Sequence, residues 1–122
     1  MKNRIIILDD DQMSLRSLKE TLREWNYIPI CYSEFDREFI TADYSEVLCC
    51  IIDYRLNFID GISVIKFMKK IYPNLKSILI SGYSIDNTVF TGEQKHFDFF
   101  IPKPLNINKL NFFLNNINKE EL

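Results

Sequence analysis

The chain has 122 residues, enough for one domain around one core, and its 47% hydrophobic and 26% charged residues are ordinary for a globular protein. A formal charge of −2 offers no basic field for nucleic acid or an anionic membrane surface. The apolar runs are strand-sized, far short of a membrane span, and the opening Met1-Lys-Asn-Arg is no signal peptide, so a cytoplasmic protein is expected.

The first predicted element is a strand over residues 4–9, Arg-Ile-Ile-Ile-Leu-Asp, which runs into the acidic stretch Asp9-Asp10-Asp11. A helix over 12–25 follows, with Leu15, Leu18, Leu22 and Trp25 on one stripe and Asp11 placed to cap it. Next come a strand over 28–32, a short helix over 34–41, and a strand over 48–53 that ends at Asp53. Residues 61–71 form a helix in which Val64, Phe67, Met68 and Ile71 face one way and Lys66, Lys69 and Lys70 the other, with Asp60 as a turn or capping residue. A strand over 76–81 ends in Ser81-Gly82. Residues 85–96 make the poorest helix of the chain, because Asn87, Thr88, Thr91 and Gly92 disfavour a helix interior. A strand over 97–101 leads to Lys103-Pro104. The last helix, 106–118, aligns Ile107, Leu110, Leu114 and Ile117 and turns Phe112 about 200° away from Leu110.

The first, third and fourth strands are nearly continuous in apolar residues, as parallel strands covered by helices on both faces are. Five βα units joined by right-handed crossovers give a doubly wound α/β sheet, in which ligands bind beyond the carboxyl ends of the strands. The polar residues of interest fall there. Cys31, Cys49 and Cys50 form no CxxC pair and are expected to be reduced thiols. His96, the sole histidine, is expected on the surface.

Leu8-Asp9-Asp10-Asp11, Asp53-Tyr-Arg-Leu-Asn-Phe-Ile-Asp60-Gly61, Ile80-Ser81-Gly82-Tyr83 and Phe99-Phe100-Ile-Pro-Lys103-Pro104 occur in this order at four strand ends. Together they resemble the response-regulator receiver domains of two-component signalling, and the resemblance covers essentially the whole chain, residues 1–122. It implies a flavodoxin-like five-stranded parallel sheet of order 2-1-3-4-5 with five helices, the order that a chemotaxis regulator is known for. It also implies that Asp53 is the phosphoacceptor and that Mg²⁺ is held directly by Asp10 and Asp53, by Asp9 through a water, and by the Arg55 backbone carbonyl. Lys103 and Ser81 would contact the phosphoryl group. Ser81 and Phe100 would form the switch, and the Lys103–Pro104 bond would be cis.

The chemistry of these residue types agrees. Clustered carboxylates repel unless a cation neutralises them, and Mg²⁺ accepts a few carboxylates together with waters. A carboxylate can attack a phosphoryl centre, and charge neutralisation then supplies most of the catalysis. Asn57 stands where many members have proline, Ser81 replaces threonine, and Phe100 keeps the ring of tyrosine without its hydroxyl. Pro102 falls late in the fifth strand, where an edge strand can spare an N–H.

The resemblance implies phosphorylation by a histidine kinase or phosphotransfer protein. Output would pass through the surface of helix 85–96, strand 97–101 and the last helix, by partner binding, a phosphorelay step or self-association, with no turnover of an external substrate. Two other readings stay open: a Mg²⁺-dependent phosphatase that forms an aspartyl phosphate, and a phosphorylation-independent adaptor. The phosphatase typically has a second aspartate two residues after its nucleophile, where this chain has Arg55.

Overall fold

In the computed structural model, residues 2–82 and 96–121 are described. Five parallel strands, β1 (Arg4–Leu8), β2 (Ile28–Tyr32), β3 (Val47–Asp53), β4 (Lys76–Ser81) and β5 (Phe99–Pro102), lie in the order β2-β1-β3-β4-β5. Four helices lie among the described residues: α1 (Gln12–Glu24), α2 (Arg37–Thr41), α3 (Gly61–Ile71) and α4 (Ile107–Glu121). The helix expected over 85–96 falls outside the described residues except for His96, which is irregular and half-buried. The doubly wound, flavodoxin-like order is therefore present, with four of the five expected helices described.

Alternation along the central strands divides the core in two. Ile5, Ile7, Cys49, Ile51, Ile78 and Ile80 face Leu15, Leu18 and Leu22 of α1 and Leu110, Leu114 and Ile117 of α4. Ile6, Leu8, Cys50, Ile52 and Leu79 face Phe39 of α2 and Val64, Ile65 and Met68 of α3. All seven residues of β3 are buried, which explains its unbroken apolar run. Cys49 and Cys50 are spent on this packing, and burial pushes the Cys50 thiol up to about 12.

Caps set the helix starts. Asp11 accepts from the Met13 N–H and the Ser14 hydroxyl, Asp36 from the Phe39 N–H, and Asp60 from the Ser63 N–H. The Asp36 cap corrects the expected helix over 34–41: residues 34–36 precede the helix because their aspartate side chain satisfies its first turn. Helix α1 ends at Trp25, and Asn26 takes φ 68°, the left-handed conformation that commonly closes a helix.

Two expected core residues are exposed. Ile71 is 51% and Ile107 40% accessible; each is the terminal residue of its helix, where no further turn packs over it. Ile65, missing from the expected stripe, is fully buried in place of Ile71. Phe112 points to solvent as its phase predicts, 61% accessible.

Candidate functional site

Strands β1 and β3 are neighbours, and their carboxyl ends bring the first acidic run beside Asp53. Ligand oxygens of Asp9, Asp10 and Asp53 all lie within 4.8 Å of one another. Asp9 and Asp53 are buried, at 1% and 5% accessibility, whereas Asp10 is half-buried at the mouth. Lys103, delivered by the end of β5, places its Nζ 3.1 Å from Asp9 and 3.5 Å from Asp53. The Lys103–Pro104 peptide is cis, as the resemblance implies.

The two oxygens of Asp9 have different partners. Oδ1 accepts from the Asp11 N–H at 3.0 Å, and Oδ2 accepts from Lys103. Asp9 is thus engaged by the protein on both sides, while the half-buried Asp10 opens toward the cleft. Asp11 points away as the cap of α1, and its hydrogen bonds from Ser14 and Met13 lower its pKa.

Burial, reinforced by the neighbouring charge of Asp9, pushes the Asp53 carboxyl up to about 6, against the lowering effect of Lys103. Burial would depress Lys103, but Asp9 and Asp53 outweigh it and raise the ammonium pKa. Two buried carboxylates thus share the Lys103 ammonium, with the half-buried Asp10 beside them. A hard divalent cation suits this cluster, because the donors are all carboxylate oxygens and the mouth is open to water.

The open cleft, of about 460 Å³, is lined by Asp10, Asp53, Arg55, Asn57, Gly82 and Lys103. Ser81 ends β4 and is 1% accessible; the β3–β4 register puts Ile80 beside Asp53, so Ser81 follows one residue beyond it. Among the described residues, a methyl on Gly82 would meet only the Lys103 Cβ at 4.0 Å. Phe100 is half-buried, its ring 6.3 Å from that of Phe97.

The sequence reading overlooked the role of Gly61. A Cβ there would lie 2.3 Å from the Asp53 carbonyl oxygen and 2.9 Å from the Tyr54 Cα. The Gly61 N–H donates to the Tyr54 carbonyl at 2.7 Å, so α3 begins directly against the backbone of Asp53. A glycine at the first position of a helix, where alanine is the better helix former, was the available signal.

A family model described as the response regulator receiver domain matches residues 5–115. The transcriptional regulatory protein ZraR of Salmonella typhimurium is 29% identical over 113 residues, covering 87% of this chain and 24% of that relative. ZraR of Klebsiella oxytoca is 27% identical over 113 residues, 90% of this chain and 25% of its own. The chain thus spans about a quarter of the length of the curated relatives it matches. Among solved structures, a CheY-like receiver domain of Methanospirillum hungatei superposes with a TM-score of 0.81 at 26% identity, covering 98% of this chain and 99% of that one. A receiver domain of Clostridium thermocellum gives 0.86 at 20% identity, covering 97% and 96%.

Proposed function

Because this chain belongs to the response-regulator receiver domain family of two-component systems, we propose that Asp53 accepts a phosphoryl group from a histidine kinase or a phosphotransfer protein. The observation that carries this reading is the position of Asp53: at the end of the central buried strand, 3.5 Å from the Lys103 ammonium and grouped with Asp9 and Asp10. In the transfer, an Asp53 oxygen forms a bond to phosphorus as the bond from phosphorus to the donor imidazole nitrogen breaks. The electron pair of that bond stays with the imidazole, and an acyl phosphate results.

Asp10 and Asp53 would hold Mg²⁺ directly, with the Arg55 carbonyl, and Asp9 would act through a water. Bound there, Mg²⁺ supplies positive charge that offsets the carboxylates and the phosphoryl oxygens. Lys103 adds a fixed cation from the β5 side, and Ser81 donates its hydroxyl to a phosphoryl oxygen. Reorientation of Ser81, with Phe100 turning inward, then alters a surface built on β5 and α4. Residues 1–122 act as one receiver domain. The exposed Phe112 lies on α4, and a similar structure, 23% identical, is a beryllofluoride-activated receiver dimer, so self-association or partner docking through this face is the output.

The test is incubation with acetyl phosphate and Mg²⁺. The protein should gain one phosphoryl group that hydroxylamine removes, Asp53→Asn should gain none, and neither should turn over small phosphate esters. Labelling of the Asn variant, or ester turnover, would overturn the reading.

A further inference from the structure

At the end of the sheet opposite the acidic cleft, one carboxylate joins three elements. Asp98 Oδ2 accepts from the Ser77 backbone N–H at 2.8 Å, from the Ser77 hydroxyl at 3.4 Å and from Lys69 Nζ of α3 at 3.0 Å. In return, the Asp98 N–H donates to the Ser77 carbonyl at 3.1 Å. Ser77, on β4, is 1% accessible, while the Asp98 and Lys69 side chains are 25% and 26% accessible, so the Ser77 end of these bonds is the buried one.

Strand β5 needs such a fixture. It has only four residues, lies at the edge of the sheet, and contains Pro102, which donates nothing. Burial of Phe97 and Ile101 opposes a one-residue slip, which would reverse their faces, but not a slip of two, which restores them. The Asp98–Ser77 bonds are directional. They fix the pairing that runs from Ile78 opposite Phe99 to Ser81 opposite Pro102, after which the Lys103 N–H donates to the Ser81 carbonyl at 2.7 Å. A two-residue slip would keep those faces but carry Lys103 about 7 Å along the strand direction, out of reach of Asp53.

We propose that Asp98 is a positioning residue: by locking β5 onto β4 at one end of the sheet, it sets where the Lys103 ammonium stands at the other. This rests on the phosphoacceptor reading above and adds a residue that acts through Lys103. The metal-binding carboxylates belong to β1 and β3 and do not depend on it.

The experiment compares the full chain with Asp98→Ala, Asp98→Asn, Lys103→Ala and the Asp98→Ala/Lys103→Ala double variant. Three quantities are read: the rate of labelling by acetyl phosphate, Mg²⁺ affinity by calorimetry, and amide exchange at Lys103. Asp98→Ala should label about ten- to a hundred-fold more slowly, the scale of a small misplacement of a reacting group. Its Mg²⁺ affinity should stay within about two-fold of the parent, and Lys103 amide protection should fall while that of β1 and β3 holds. Asp98→Asn, which still accepts from the Ser77 N–H, should recover most of the rate. The double variant should be no slower than Lys103→Ala alone, since the two changes act through one group. An undiminished rate, additive losses in the double variant, or a parallel loss of Mg²⁺ affinity would overturn the proposal. Should Asp98→Ala not fold, Asp98→Glu, which keeps the charge but carries the carboxylate one methylene away from the Ser77 N–H, decides it by the same readouts. A parent protein that takes no label removes the phosphoacceptor reading instead; unchanged Lys103 protection in Asp98→Ala then still overturns the positioning role.

Discussion

Asp53 occupies a position that costs the metal-free protein stability. Burial pushes its carboxyl up to about 6 in the fold from the ordinary aspartate value of 3.8, so between these values the native state holds a proton that the unfolded chain has lost. Stability from this group therefore falls as pH rises from about 4 to about 6, and the deficit is complete above that. The upper limit is roughly 3 kcal/mol for a shift of about two units. In metal-free buffer, Asp53→Asn should raise the unfolding free energy at pH 7.5 by on the order of 1–2 kcal/mol and leave it nearly unchanged at pH 4, measured by urea denaturation. A second contrast separates two adjacent aspartates. Asp10 opens toward the cleft, whereas Asp11 is committed to Met13 and Ser14 as the cap of α1. Asp10→Asn should weaken Mg²⁺ by at least about ten-fold, and Asp11→Asn should leave the affinity nearly unchanged, by calorimetric titration. An equal loss in both would place the acidic run one residue out of frame.

Helix α3 shows how an element is fitted to a site. Gly61→Ala gains at most about 1 kcal/mol in helix propensity. Against that, the added methyl would stand 2.3 Å from the Asp53 carbonyl oxygen, where backbone on both sides has little room to yield. Overpacking of this kind costs about 1–3 kcal/mol, so the clash wins. The variant should unfold at lower urea and, on the proposed function, also label more slowly with acetyl phosphate, because α3 must withdraw from the end of β3. The elements themselves were legible in the sequence wherever periodicity was strong: β3, β4 and α3 begin and end within a residue of expectation. The ends of helices were less so. Periodicity continued through Ile71 and Ile107, yet both are exposed terminal residues of their helices, and residues 34–36 carried a cap that pattern alone read as helix. The clamp at Asp98 was illegible because its partners, Ser77 and Lys69, are 21 and 29 residues away and share no motif.

For the whole molecule, the candidate site is a cluster of carboxylates whose binding of a cation should be felt throughout the fold. Any cation that binds the native state alone stabilises it by mass action, about 2.7 kcal/mol at a hundred times its dissociation constant. For a domain of 122 residues this corresponds to roughly 10 °C in Tm. Mg²⁺ should give a rise of that order, saturable and absent in Asp10→Asn, by scanning calorimetry; a flat response would mean that the carboxylates are balanced by the protein alone. The site residues could be found in the sequence because they end four strands, but the strand order that assembles them came from the resemblance and not from periodicity.

The two rims of the sheet share a property. Strands β2 and β5 are its edges, and each contains one proline, Pro29 and Pro102. The Ile28 N–H donates inward to the Asn3 carbonyl and the Lys103 N–H inward to the Ser81 carbonyl. By alternation, Pro29 and Pro102 fall at positions that face outward, where a further strand would look for a donor. Neither rim offers an uninterrupted template, so another chain cannot extend the sheet by simple strand addition. On the proposed function, association through a switched surface would then fall to side chains on helices and loops, where it can be reversed, and not to the sheet edges.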